Sequence, residues 1–148
     1  MKKLRYLAIT FLIFSGQVLA ATCEVTVNGS DMMRYDVTEI KVDASCSKFK
    51  ITLNHIGTLP ANIMGHNVVV VKDSDFQAVV GSVNMSHGAK GGYLPADAPI
   101  LLKTELIGGG GITDAVVDTA AFEKGQSYKF FCSFPGHYSI MKGVLVFN

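Results

Sequence analysis

Short apolar–polar alternations broken by turn residues predict an all-β chain, a Greek-key antiparallel β-sandwich or barrel with one short helical insertion around residues 74–84. Two stretches carry this reading. Residues 48–53 put Phe49, Ile51 and Leu53 on one face and Lys48, Lys50 and Thr52 on the other, the period of a half-buried strand. One segment, with Phe76, Val79, Val80 and Val83, recurs at helical spacing.

The chain opens on a leader. Lys2, Lys3 and Arg5 give a basic start, residues 7–14 an apolar run, and Val18, Leu19 and Ala20 a small-residue end before Ala21. Residues 1–20 therefore read as a secretory signal peptide, with an apolar run too short to favour a membrane span; the alternative is an uncleaved anchor. Residues 21–148 then form one domain, exported and without a membrane span.

In order, residues 23–27 alternate and stop at the turn residues Asn28 to Asp31. Residues 33–35 and 39–42 are short candidate strands, and residues 57–62, holding Pro60, read as a loop. Four consecutive valines, Val68 to Val71, fit a strand buried on both faces. Ser74 to Gln77 fits a capping box at the start of the helix, which ends in the glycine-rich stretch 88–92. Residues 100–107, 115–117, 127–131 and 142–147 supply the remaining strands. The four glycines 108–111 lack the Lys and the helix of a phosphate loop and read as a strand connection.

Charge excludes one class of partner. Losing Lys2, Lys3 and Arg5 takes thirteen basic residues to ten against twelve acids, moving the net charge from +1 to −2. A nucleic-acid binder needs a basic face to neutralise phosphates, so no nucleic acid is expected.

Three cysteines in an exported chain meet an oxidising compartment and allow three pairings, each leaving one thiol over. Cys132 has His137 and Met141 beside it; Cys23 and Cys46 have no such company. The expected bridge is therefore Cys23 to Cys46, with Cys132 kept for metal. The alternative, Cys132 in a structural bridge, would remove the thiolate.

Chemistry concentrates in residues 132–141, where Cys132, His137 and Met141 follow the spacing Cys-x4-His-x3-Met on a turn between two strands. Pro135 and Gly136 can fold His137 back toward Cys132. A second imidazole, His66, enters the valine strand through Gly65-His66-Asn67. Thiolate, thioether and two imidazoles suit copper, and two His, one Cys and a weak axial Met describe a blue-copper electron-transfer site.

These residues carry a resemblance. The cysteine pair 23 and 46, Asn-x-Met-Gly-His-Asn at 62–67, Leu-Ile-Gly at 106–108, and Phe-Phe-Cys-Ser-Phe-Pro-Gly-His at 130–137 followed by Met-Lys-Gly at 141–143 resemble the azurins, small blue copper proteins of the cupredoxin fold. The resemblance implies one copper ion bound equatorially by His66, Cys132 and His137, axially by Met141, with the Gly65 carbonyl as a distant fifth contact. It also implies backbone N–H groups of Asn67 and Phe134 on the Cys132 sulfur. Met33, Leu59, Met64, Phe134 and Pro135 would form an apolar patch where transient redox partners dock, such as c-type cytochromes or copper and haem reductases. It further implies a bacterial periplasmic location, with a monomer as the default for a transient carrier.

The other histidines read differently. His55 is expected to be packed and not a ligand, and His87 to be solvated in a polar loop. Some azurins carry a buried Trp two residues after the upstream ligand His; here that position is Val68, and the chain has no Trp. The expected protein is not an enzyme. Rival readings are a thiol hydrolase using Cys132 and His137, a zinc site, and a copper-delivery carrier.

Overall fold

Alternation and the valine run become two packed sheets in the computed structural model, which describes residues 22–148; the leader expected at 1–20 lies outside them. One sheet runs β2 (Arg34–Tyr35), β1 (Thr22–Ser30), β4 (Lys48–His55), β7 (Ile112–Asp118). The other runs β3 (Glu39–Val42), β9 (Lys142–Phe147), β8 (Ser127–Phe131), β5 (Val69–Lys72), β6 (Leu102–Lys103). The expected sandwich is present, and both sheets are mixed. β1 lies parallel to β4, from Thr22 opposite Lys48 to Gly29 opposite His55. β3 lies parallel to β9. Parallel neighbours need a long crossover between them, and the chain supplies one by visiting the other sheet between β1 and β4.

The core between the sheets is built from the faces that alternation marks. Val27, Phe49, Ile51, Leu53, Phe130 and Leu145 are buried there. Val68 and Val70 face this core, whereas Val69 and Val71 face a second cluster with Phe76, Val79, Val80 and Phe131. That second cluster is the underside of α2 (Phe76–Gly81). Two buried faces explain why the valine run 68–71 is apolar without interruption.

Local departures have local causes. The capping box does not form: a 3-10 turn at Asp73–Asp75 runs into α2, and the Phe76 N–H bonds the Asp73 carbonyl instead. The loop expected at 57–62 ends in one helical turn, α1 (Ala61–Met64), entered from Pro60. The strand expected over 100–107 shrinks to β6, because the Thr104 hydroxyl takes the Val68 N–H at 2.9 Å in place of a ladder carbonyl. Beyond it only an isolated bridge joins Ile107 to His66.

Cys23 and Cys46 form the expected disulfide, Cα atoms 5.7 Å apart, and Cys132 is a buried free thiol. Among the described residues no helix is long and apolar enough to cross a membrane.

Candidate metal centre

The site forms where β8 hands over to β9. The loop between them is closed by its own backbone: the Cys132 N–H donates to the Met141 carbonyl at 3.0 Å, and the Met141 N–H to the His137 carbonyl at 2.8 Å. Gly136 sits at φ +86°, a conformation that favours glycine, and a 3-10 turn at His137–Ser139 follows. This reversal brings the His137 ring over the Cys132 side chain, as the Pro-Gly pair suggested.

His66 arrives from the second segment. It follows α1 and enters β5, and its backbone exchanges hydrogen bonds with Ile107 at 2.9 Å. Its Nε2 donates to the Ser30 carbonyl at 2.8 Å, at the end of β1 in the opposite sheet. That bond leaves Nδ1 as the bare lone pair, turned toward Cys132. Cys132 Sγ lies 3.9 Å from His66 Nδ1 and 3.7 Å from His137 Nδ1. All three ligand atoms fall within 4.8 Å of one another, and all three residues are buried.

Gly65 completes the approach. Its carbonyl oxygen is 3.8 Å from the Cys132 sulfur and 2.9 Å from His66 Nδ1. With Nε2 already donating, Nδ1 and this carbonyl are two acceptors held face to face, an arrangement that a cation between them would satisfy. A side chain at position 65 has no room: a Cβ would meet the Ala61 carbonyl at 2.4 Å and Leu106 at 2.8 Å. Met141 is fully buried, its backbone tied to both Cys132 and His137.

Electrostatics match a donor set suited to a positive ion. Burial pushes the Cys132 thiol up to about 11, against the hydrogen bonds of the Asn67 and Phe134 backbone N–H groups and the Tyr35 hydroxyl. Burial, then the neighbouring His66 and His55, holds His137 down to about 4. His66 is lowered too, chiefly by burial, with its bond to Ser30 opposing. The imidazoles are therefore neutral at pH 7 and free to coordinate, while a thiolate needs a cation beside it.

The supporting groups are all partnered. Asn67 Oδ1 accepts the Ser133 N–H at 2.9 Å, its amide donates to Ser133 Oγ at 2.8 Å, and that hydroxyl donates to the Gly92 carbonyl at 2.6 Å. His55 stacks on His66 with ring centroids 4.3 Å apart. Its Nε2 donates to the Met64 carbonyl at 2.8 Å and its Nδ1 accepts the Gly57 N–H at 3.1 Å, so neither nitrogen is spare for metal. His87 Nδ1 lies 3.3 Å from the Tyr93 carbonyl oxygen in an exposed stretch.

The family model for copper binding proteins, plastocyanin/azurin family, matches residues 21–148. The chain belongs to that family. It is 44% identical over 133 residues to the azurin of Bordetella pertussis, an alignment covering 89% of this chain and 88% of that one. To the azurin of Pseudomonas aeruginosa it is 41% identical over 145 residues, covering 96% and 97%. The solved azurin Az-iso2 of Methylomonas sp. strain J superposes with a TM-score of 0.80 at 37% identity, covering 85% of this chain and 98% of that one. Copper is thus the family's ion, and the two nitrogens and one sulfur gathered here fit it.

Of the expected ligands His66, Cys132, His137, Met141 and Gly65, the structure brings the donor atoms of the first three within 4.8 Å of one another; sequence reasoning did not find two hydrogen bonds beside them. Ser30 acts through a main-chain carbonyl, which leaves no mark in a side-chain pattern. Tyr35 is 32 residues from the Asn67 whose carbonyl its hydroxyl bonds. Of the expected docking residues, Leu59 is 36% exposed and Met33, Met64, Phe134 and Pro135 are half-buried. Exposed Met32 and Ile63 adjoin Met33 and Met64 in sequence, and Ile140, also exposed, follows the ligand His137 by three residues.

Proposed function

We propose that this protein carries single electrons on one copper ion, with His66, Cys132 and His137 as close ligands and the Met141 thioether and Gly65 carbonyl as weaker contacts. The observation that carries this is the convergence of two imidazole Nδ1 atoms and a buried thiol beside a carbonyl already facing one of them. Copper supplies a one-electron couple, cupric to cuprous. The protein's own residues do the rest. His66 is fixed across the sandwich by Ser30, His137 by the closed loop, and the Cys132 sulfur by backbone N–H groups. Donors held this rigidly rearrange little when charge changes, and burial keeps water from them.

A thiol-enzyme reading fits the site less well. A nucleophilic cysteine needs a lowered pKa, whereas this thiol is raised. Zinc would leave the thioether idle.

The apolar rim formed by Met33, Leu59, Met64, Phe134 and Pro135 is the docking surface in this proposal. Such rims suit small, short-lived redox encounters with a c-type cytochrome or a copper or haem reductase. The mature chain, residues 21–148 after removal of 1–20, works in the periplasm as a monomer and is not an enzyme. Adding Cu(II) to the purified, metal-free mature chain tests the core of this. An intense blue thiolate-to-copper absorption that bleaches reversibly on one-electron reduction is the expected result; a colourless adduct overturns it.

A further inference from the structure

A groove of about 380 Å³ opens where β2 passes toward β3 and the ligand loop enters β9. Tyr35, Val37 and Ile140 line it with apolar surface, and Arg34 and Lys142 are the only charged residues of its lining. Both walls are tied to the metal centre. Ile140 and Lys142 flank Met141, whose carbonyl takes the Cys132 N–H, and the Tyr35 hydroxyl donates to the carbonyl of Asn67, the residue after His66. The groove also continues the proposed apolar rim: Arg34 directly follows Met33, and Ile140, 58% exposed, stands three residues beyond His137.

No acid offsets the two cations. Among the described residues neither Arg34 nor Lys142 has a carboxylate within ion-pair distance. The acids nearest Arg34 in sequence are engaged elsewhere: Asp31 with the Thr58 and Leu59 N–H groups, Asp36 with Asn28, Glu39 with Lys41. The Lys142 ammonium stands 5.8 Å from the centroid of the Phe76 ring, a contact that leaves its charge in place. Residues 21–148 carry ten basic against twelve acidic side chains, so this groove is a local reversal of sign.

We infer that the groove is the charged flank of the docking surface. It seats an acidic segment of the redox partner protein, with carboxylates on Arg34 and Lys142, while the partner's apolar face meets the rim. The inference rests on the electron-carrier reading above. Exposed ion pairs add little affinity each, but they steer approach and fix register. Here they set the partner's orientation over the loop that carries Cys132, His137 and Met141.

The test titrates a blocked Glu-Asp-Phe-Glu-Asp peptide into copper-loaded mature protein, first confirmed as blue and then reduced to the diamagnetic cuprous state. The amide resonances of residues 34–38 and 140–142 shift, and affinity falls as salt rises. Arg34→Gln combined with Lys142→Gln weakens binding about fivefold, the size of two exposed ion pairs, and removes the salt dependence. Arg34→Lys keeps the charge and binds nearly as wild type. Lys48→Gln, two residues past Cys46, changes nothing. All three proteins keep the blue absorption. Shifts gathered equally around every exposed lysine, shifts on the rim alone, or an affinity untouched by the double variant overturn the inference. A wild-type protein that never turns blue sinks the electron-carrier reading instead, before any peptide is added, so the two failures are distinguishable.

Discussion

The two ends of the sandwich use the same element, sulfur, in opposite ways. At the start of β1 and just after β3, Cys23 and Cys46 are joined covalently, and the Thr119 hydroxyl donates to the Cys46 carbonyl beside them. At the other end of β1, near Gly29 and Ser30, Cys132 stays a thiol among His55, His66, His137, Asn67 and Ser133, every one of them buried. Gly29 lies six positions along the strand from Cys23, about 20 Å at the usual rise. Stability is concentrated at one end and reactivity at the other, and the length of a strand keeps the free thiol from exchanging with the bridge.

Replacing sulfur at each end in turn is the sharpest way to break this contrast. Cys132→Ser abolishes the blue absorption completely while the metal-free protein keeps its thermal midpoint within a few degrees, about the range of a near-isosteric change. Cys23→Ala with Cys46→Ala does the reverse. Opening a loop of about 24 residues costs about 3 kcal/mol in the chain-entropy model, read by denaturant unfolding, and the colour persists. Colour lost from the second protein, or a collapse in stability of the first, would show that the ends are coupled.

A smaller effect maps the proposed docking rim. Met64→Lys puts a charge into the apolar surface and slows electron exchange with a small c-type cytochrome about tenfold, with the absorption band unmoved. Ser45→Lys, beside the bridge, leaves the rate unchanged in the same stopped-flow measurement.

The smallest effect concerns the ties that seat the metal end. Asp31 accepts the Thr58 N–H at 2.8 Å, the Thr58 hydroxyl at 3.3 Å and the Leu59 N–H at 3.4 Å, pinning the turn after β1 to the loop that leads into α1 and His66. The Thr58 N–H foremost holds its carboxyl below the ordinary 3.8. A depressed carboxylate stabilises the fold fully above its unfolded pKa and loses that contribution as pH falls on through its lower folded-state pKa. Asp31→Asn therefore lowers the thermal midpoint at pH 7, and its difference from wild type fades as pH falls below the ordinary 3.8. A difference independent of pH would mean that the charge plays no part.

What the sequence discloses divides along similar lines. The ligand loop is readable because Cys132, His137 and Met141 lie within ten residues and their turn chemistry is local. The valine run is readable because burial on both faces writes itself directly into composition. Pairings across the chain are not: nothing in β1 marks β4 as a parallel neighbour, since that choice is made by the connection through the other sheet. The capping box misleads because Ser74 and Gln77 have the right spacing, yet the 3-10 turn has already taken the Phe76 N–H for the Asp73 carbonyl. Tyr35 and Ser30 escape because each reaches its partner across more than thirty residues, and Ser30 does so without its side chain.

The parallel pairing of β3 with β9 sets a timetable. Glu39 pairs with Val144 across about a hundred residues of chain, so slow, non-local closure of that edge is the expected kinetic regime. The ligand loop runs directly into β9. The strand that closes this edge is therefore also the strand that anchors the far end of the loop carrying Cys132, His137 and Met141.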